Sequence, residues 1–354
     1  MSNRRSNLTL IVDGNWLLMS RLSILRMRIK DEEKLLKELK IMMIKSMNVM
    51  MRNFPQIDNI IFVADGGSWR NTIEIPSFLK KDHITYKGNR EKDKEIDWDK
   101  VFATYEEFVE TLKECGICVS KEKGVEGDDW CAYWSKNLNA KNTNVIIWSA
   151  DRDLTQLVKI DPKSKCFTVC WNKNYMTMEL VDHNPDNMDF FFEFDNTVNQ
   201  QLLESISMKA KDIHEIHPMD VVIDKIVRGD AGDNILPIVL KKGKTSEKVF
   251  RVASKELDLS IDVMSKSDIA SWVDELLSKK TWQGKVDGNK TEDEIVEHFE
   301  YNRKLVWLDP SSYPSDILDK MRAYHVENPS NDLSIAMQKI QAEKNEITDV
   351  LEEI

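Results

Sequence analysis

Glu126, Asp128 and Asp129 set three carboxylates within four residues. One acid is enough to cap a helix N-terminus. Three so close repel one another unless positive charge lies between them. The theme returns as Asp151-Arg152-Asp153, and again as Gly229-Asp230-Ala231-Gly232-Asp233-Asn234, where two glycines permit a tight turn that aims both carboxylates one way. Hard oxygen donors without His or Cys select Mg²⁺ or Mn²⁺ over zinc or copper. Two such ions can clamp a scissile phosphate, activate a water and stabilise the leaving oxygen, so no protein nucleophile is needed. The sequence partners no serine or cysteine with a histidine, and it lacks a Walker-type phosphate loop. The chemistry expected is metal-dependent phosphodiester hydrolysis.

Three short apolar runs each meet an acid at their end: Leu8–Val12 before Asp13, Asn59–Ala64 before Asp65, and Asn144–Ala150 before Asp151. Their unbroken hydrophobicity predicts strands buried on both faces, as in a parallel sheet. Helical spacing over Lys34–Asn53, Val101–Glu114 and Asp128–Leu138 separates them. Alternation of this kind predicts a doubly wound α/β domain, whose functional crevice lies beyond the carboxyl ends of its strands. A lone acid at a strand end is an ordinary turn or cap residue. Three in register on one rim could serve a metal.

Beyond about residue 205 the pattern turns helical and predicts a second, smaller α-rich region. Residues 172–217 read as a connector that includes the aromatic-acidic run Asp189–Asp195. Over Ser330–Ile354 an acidic amphipathic helix is expected, with Leu333, Met337, Ile340, Ile347, Leu351 and Ile354 at heptad positions and Lys344 interrupting. It would pack on its own protein or on a partner, and its deletion is expected to leave cleavage of small substrates intact.

The net charge of −11 is unlike the basic footprint usual for a nucleic-acid enzyme. Its distribution matters more: Lys80–Lys94 is locally +3 and Lys241–Arg251 locally +4, while nine acids fall in the proposed metal positions. Cys115 and Cys118 form the only C-x-x-C, and the six histidines form no ligand-spaced group, so free thiols are expected rather than zinc. No h-region follows Arg4 and Arg5, and no apolar run approaches a membrane span, which predicts a soluble, cytoplasmic protein.

Taken in order and spacing, Asp13, Asp65, Glu126–Asp129, Asp151–Asp153 and Gly229–Asn234 resemble the flap-endonuclease/5′-3′ exonuclease family. Within it the chain is similar to the bacteriophage 5′-nucleases of the T-even RNase H type, notably at Trp69-Arg70, Tyr86–Arg90 and Glu300–Asp309. The resemblance spans about residues 8–325. It implies a PIN-like nuclease domain over 1–205 with a helical arch at about 69–105, a helix–three-turn–helix duplex-binding region over 206–329, and a tail helix over 330–354. It assigns Asp13, Asp65, Glu126, Asp128 and Asp151 to one Mg²⁺ neighbourhood. Asp129, Asp153, Asp230 and Asp233 fall in or near a second, with Mn²⁺ able to substitute. Lys87 and Arg90 match cations at the scissile phosphate, Tyr86 a ring near the terminal bases, and Arg70 a further nucleic-acid contact. On their residue types alone, Lys87 and Arg90 also suit an exposed charged helix.

The family's glycine-rich hairpin is replaced here by Ile235–Lys244, so Lys241, Lys242 and Lys244 are expected to hold duplex phosphates through their side chains. The implied substrates are DNA and RNA·DNA with 5′ ends or flaps in replication, with a monomeric chain and a single-stranded-DNA-binding or other replication protein as possible partner. The competing expectations are a PIN-type endoribonuclease and a non-catalytic DNA-end-binding replication factor.

Overall fold

The computed structural model describes residues 7–80, 85–88, 93–161, 163–172, 175–180, 197–238, 291–324 and 329–352. Arg90, Lys241, Lys242, Lys244 and the run 189–195 lie outside the described residues. The chain divides into two compact units. One comprises Met1–Ser68, Lys92–Glu215 and Tyr313–Ile354; the other comprises Trp69–Glu91 and Ile216–Ser312.

The first unit is built on a sheet of eight strands among the described residues: β1 (Leu8–Asp13), β2 (Asn59–Val63), β3 (Cys118–Ser120), β4 (Asn144–Trp148), β5 (Lys159–Ile160), β6 (Phe167–Asn172), β7 (Tyr175–Glu179) and β8 (Asp212–Ile216). Their order is β3-β2-β1-β4-β6-β7-β8, with β5 beside β6. From β3 to β6 all neighbours run parallel, whereas β5 and β7 are antiparallel to β6. Every residue of β1 and β4 is buried, as strands covered on both faces require.

The crossover helices form where apolar spacing and caps agree. Helices α1 (Gly14–Arg26) and α2 (Glu32–Asn53) join β1 to β2. Asp31 caps α2 by accepting the Lys34 N–H at 2.7 Å, and Glu32 and Glu33 complement the helix dipole. Leu35, Leu39, Met43 and Met47, four residues apart, bury one face. Helix α3 (Trp98–Glu114) joins β2 to β3 and is capped by Asp97; α4 (Gly127–Ala140) joins β3 to β4. All five cysteines are free thiols. Among the described residues no helix is long and apolar enough to cross a membrane.

Two boundaries differ from the sequence reading. The stretch taken as a connector contributes β7, α5 (Thr197–Ser207) and β8, so the sheet runs past residue 205. The last segment, with α8 (Ser315–Ala323) and α9 (Leu333–Glu352), belongs to the first unit. Leu333, Ala336 and Ile340 are buried in its core beside α2 and α3. The stripe of α9 covers its own protein because α2 and α3 leave an apolar strip that must be shielded from water.

In the second unit, α6 (Pro218–Arg228) begins with proline at its first turn and ends at Gly229, whose φ is +67°. A side chain at 229 would also run into the backbone of Leu236 and Pro237. Helix α7 (Glu292–Val306) opens on a Thr291–Glu294 capping box. Ile223, Ile226, Ile295 and Phe299 form the core, and the buried Asn302 side chain donates to the carbonyls of Ile226 (2.7 Å) and Leu236 (2.9 Å).

Candidate metal centre

The strand order reverses between β1 and β4: β2 and β3 extend to one side, β4 and β6 to the other. Such a reversal opens a crevice at the carboxyl ends. Asp13 ends β1, Asp65 follows β2 by two residues, and Asp151 follows β4 by three. Because β2, β1 and β4 are adjacent and parallel, the three acids share one rim. Helix α4 brings Glu126, Asp128 and Asp129 at its N-terminus, just beyond β3.

Asp13 is buried and doubly held. Its Oδ1 accepts the Trp16 N–H at 3.0 Å, and its Oδ2 accepts the Ser149 hydroxyl at 2.6 Å. Burial pushes its carboxyl from the ordinary 3.8 up to about 6; the two hydrogen bonds oppose the rise, and the charges of Asp65 and Asp151 add to it. Cys131, fully buried, has its thiol pushed well up by burial, with Asp13, Asp128 and Asp151 adding to the shift. These acids therefore act on one electrostatic neighbourhood.

Asp65 lies on the exposed side of the rim. Its Oδ1 accepts the Gly127 N–H at 2.6 Å, and its Oδ2 pairs with the Asn15 amide. A Cβ at residue 127 would sit 3.0 Å from that Oδ1, so glycine permits this approach of the α4 N-terminus. Asn15 Oδ1 also accepts the Tyr105 hydroxyl at 3.1 Å, tying α3 to the rim. Burial holds the Tyr105 phenol well above its usual range, helped by Asp65 and Asp13. Glu126 accepts the Ser68 hydroxyl at 2.8 Å. Asp129 is 0% exposed and its Oδ2 accepts the Glu126 N–H at 3.2 Å, an N-terminal bond that fixes the start of α4. Asp153 is half-buried and donates its N–H to Asp151 Oδ1 at 2.9 Å.

In the second unit, Asp230 and Ile235 exchange backbone hydrogen bonds of 2.9 and 2.8 Å, closing a tight turn over 231–234. Burial raises the Asp230 carboxyl. The Lys225 ammonium at 2.6 Å and the N–H groups of Gly232 and Asp233 outweigh that and hold it below its usual value. The Asp233 carbonyl accepts the Lys87 N–H at 2.9 Å, and the Asn234 amide donates to the Thr85 carbonyl at 3.3 Å, so the turn fixes the Lys87 backbone. The Lys87 ammonium lies 4.9 Å from the centre of the Tyr86 ring. Tyr86 belongs to the apolar core of this unit, and Arg70 is 2% exposed with its guanidinium 4.6 Å from the Trp69 ring.

The sequence reading missed Ser149, Asn15, Tyr105 and Ser68. Ser149 carried a faint signal, since a serine two residues before an acid can take that acid's N–H. Tyr105 carried none, being 90 residues from Asn15.

Residues 8–185 match the family model for the 5′-3′ exonuclease N-terminal, resolvase-like domain. The chain belongs to the 5′-3′ exonuclease family. A 5′-3′ exonuclease of Mycoplasma pneumoniae is 28% identical to this family member over 131 residues, which is 37% of this chain and 41% of that one. The match thus spans under half of that relative's length. Two solved bacteriophage T5 structures share the exonuclease fold: a protein co-crystallised with metal ions, and a flap endonuclease in a pseudo-enzyme–product complex with DNA and metal ions. Each gives a TM-score of 0.51 at 17% identity, covering 95% of this chain and 98% of its own.

Asp13 makes a testable claim on stability without metal. The folded chain holds this proton more tightly than the unfolded chain, at about 6 against 3.8. The contribution is full below the unfolded value and is lost as pH rises through about 6. It is worth at most about 3 kcal/mol, at 1.36 per unit. In EDTA the melting temperature should therefore carry a downward component between about pH 4 and 6. Asp13→Asn should flatten that slope, and an identical slope in both proteins would refute the assignment.

Proposed function

We propose that this protein is a metal-dependent 5′-nuclease that hydrolyses phosphodiester bonds of DNA or RNA·DNA near free 5′ ends, as an exonuclease and flap endonuclease. The observation that carries the reading is the rim of Asp13, Asp65, Asp128 and Asp151 on the crevice between β1 and β4. Its donors are all carboxylate oxygens, mutually repelling, with Asp13 raised to about 6. That donor set suits a hard divalent cation, Mg²⁺ or Mn²⁺. Such ions supply charge to the phosphate and lower the pKa of water.

The chain's own residues do the rest. Asp13, Asp65, Asp128 and Asp151, with Glu126 beside them, hold the cation neighbourhood. The Asn15–Tyr105 pair and the Gly127 N–H orient Asp65. Asp153, Asp230 and Asp233 offer further carboxylates, and Asp129, wholly buried, fixes the start of α4. Lys87 is the cation for the reacting phosphate, joined in this reading by Arg90. Lys241, Lys242 and Lys244 serve duplex anchoring. Tyr86, packed inside its unit, supports the Lys87 ammonium from behind, and Arg70 is buried beside the Trp69 ring. The biological setting we favour is replication, with removal of RNA primers and 5′ flaps, in a phage-type nuclease of the host cytoplasm.

The test uses 5′-end-labelled flap, nicked, RNA·DNA and single-stranded RNA substrates in Mg²⁺, Mn²⁺ or EDTA. Short 5′ products from flap and RNA·DNA, absent in EDTA, are expected. Cleavage confined to single-stranded RNA without need of a 5′ end would replace the reading by an endoribonuclease. Tight end binding without any product would replace it by a non-catalytic factor.

A further inference from the structure

We propose that Ser149 is a positioning residue of the metal centre, its hydroxyl fixing the directions in which the Asp13 and Asp151 carboxylates face; this rests on the metal-dependent reading above. Ser149 sits one residue past β4, and its N–H still bonds the Trp171 carbonyl of β6 at 3.1 Å, so its backbone has the rigidity of the sheet. The side chain is 3% exposed. Its Oγ donates to Asp13 Oδ2 at 2.6 Å and accepts the Asp151 N–H at 3.0 Å.

A hydroxyl has one proton and two lone pairs. With the proton given to Asp13 Oδ2, the Oγ lone pairs face the Asp151 N–H, and the two bonds are compatible in only this sense. Asp13 then has a donor on each oxygen, Trp16 N–H on one and Ser149 on the other, which fixes the carboxylate plane at two points. Each oxygen keeps lone-pair capacity for a cation. On the other side, the Asp151 N–H is drawn inward to Ser149, while the Asp151 side chain is exposed and its Oδ1 takes the Asp153 N–H. One connected set of bonds, from Trp16 through Asp13, Ser149 and Asp151 to Asp153, thus spans β1 and β4 at the point where the strand order reverses.

Ser149→Ala removes the hydroxyl and almost no volume. Partners that orient ligands from behind are worth about 10–100-fold in metal affinity. The variant should bind Mn²⁺, followed by the EPR signal of the free ion, about 10–100-fold more weakly than wild type. In EDTA it should melt moderately below wild type, since Asp13 and the Asp151 N–H each lose a partner. The metal concentration for half-maximal cleavage should rise by the same factor, with much of the rate regained at saturating metal. Unchanged Mn²⁺ affinity would overturn the proposal, including the case where only the melting temperature falls, since that marks a purely structural hydroxyl. Asp151→Asn separates positioning by Ser149 from metal binding itself. If wild type binds Mn²⁺ and Asp151→Asn loses it while Ser149→Ala does not, the positioning role alone fails. If wild type itself binds no Mn²⁺, the metal-centre reading fails.

Discussion

Asp151→Asn protein should cleave a 5′ flap about a thousandfold more slowly in Mg²⁺, while melting at or above the wild-type temperature. Asp151 lies on the exposed rim, so its replacement leaves the core untouched. The amide keeps an oxygen for the Asp153 N–H that now bonds Asp151 Oδ1. What it loses is the negative charge. Lewis-acid stabilisation of a phosphoryl transition state is worth several kcal/mol, and each 1.36 kcal/mol is about a factor of ten in rate. Removing one of several clustered anions also relieves repulsion on Asp13, which Asp151 helps to raise. Asp13→Asn should be equally inactive and, near neutral pH, at least as stable, because the buried carboxylate that it replaces is ionised there at a cost. The amide oxygen can keep the Trp16 N–H while its NH₂ group donates to the Ser149 hydroxyl, which carries lone pairs as well as a proton. Single-turnover rates on labelled flap substrate, with melting curves for both variants, make the comparison. Near-wild-type turnover of Asp151→Asn would remove it from the metal set.

Truncation after residue 329 should leave a protein that does not fold. Ser330 donates its N–H to the Gly116 carbonyl at 2.7 Å. The Asn331 side chain both donates to the Asp58 carbonyl (2.6 Å) and accepts the Ile60 N–H (3.1 Å). Leu333, Ala336 and Ile340 complete the core over α2 and α3. Lys40 joins Glu107 of α3 and Glu343 of α9 at 3.1 and 2.8 Å. A buried Leu→Ala change alone costs about 2–5 kcal/mol, and whole domains are stable by only about 5–15 kcal/mol. This reverses the expectation from sequence that the tail is dispensable. Leu333→Ala, the milder test, should lower the melting temperature clearly with Mg²⁺-dependent cleavage retained below it. A truncated chain that is soluble and melts like wild type would show the helix to be an accessory.

The sequence disclosed the parallel strands and their terminal acids because both signals are local. A fully buried strand must be continuously apolar, and the acid follows within three residues. Strand β3, with three residues, is too short to carry a period. The outer strands β7 and β8 alternate weakly and read as loop. Helix α9 showed its stripe but not the surface that it covers, since amphipathicity gives a face and no address. The pairing of 69–91 with 216–312 in one unit is set by packing between distant segments. The same holds for Tyr105 and Asn15, where a phenol reaches an amide across 90 residues. Burial of Arg70 and Tyr86 was equally invisible, for arginine and tyrosine serve surfaces and interiors alike.

The interleaving of the two units has a consequence for the order in which the chain is made. β1 to β8 leave the ribosome before residue 217, yet α9, which closes the core over α2 and α3, begins at Leu333. At about 5–20 residues per second, the delay is on the order of ten seconds. Throughout that interval the nascent first unit presents the α2–α3 strip to solvent. The second unit must emerge in full before the strip can be covered. Completion of the nuclease body is therefore one of the last events of synthesis. A chain stalled within residues 217–330 carries the acidic rim on a body whose core is still open.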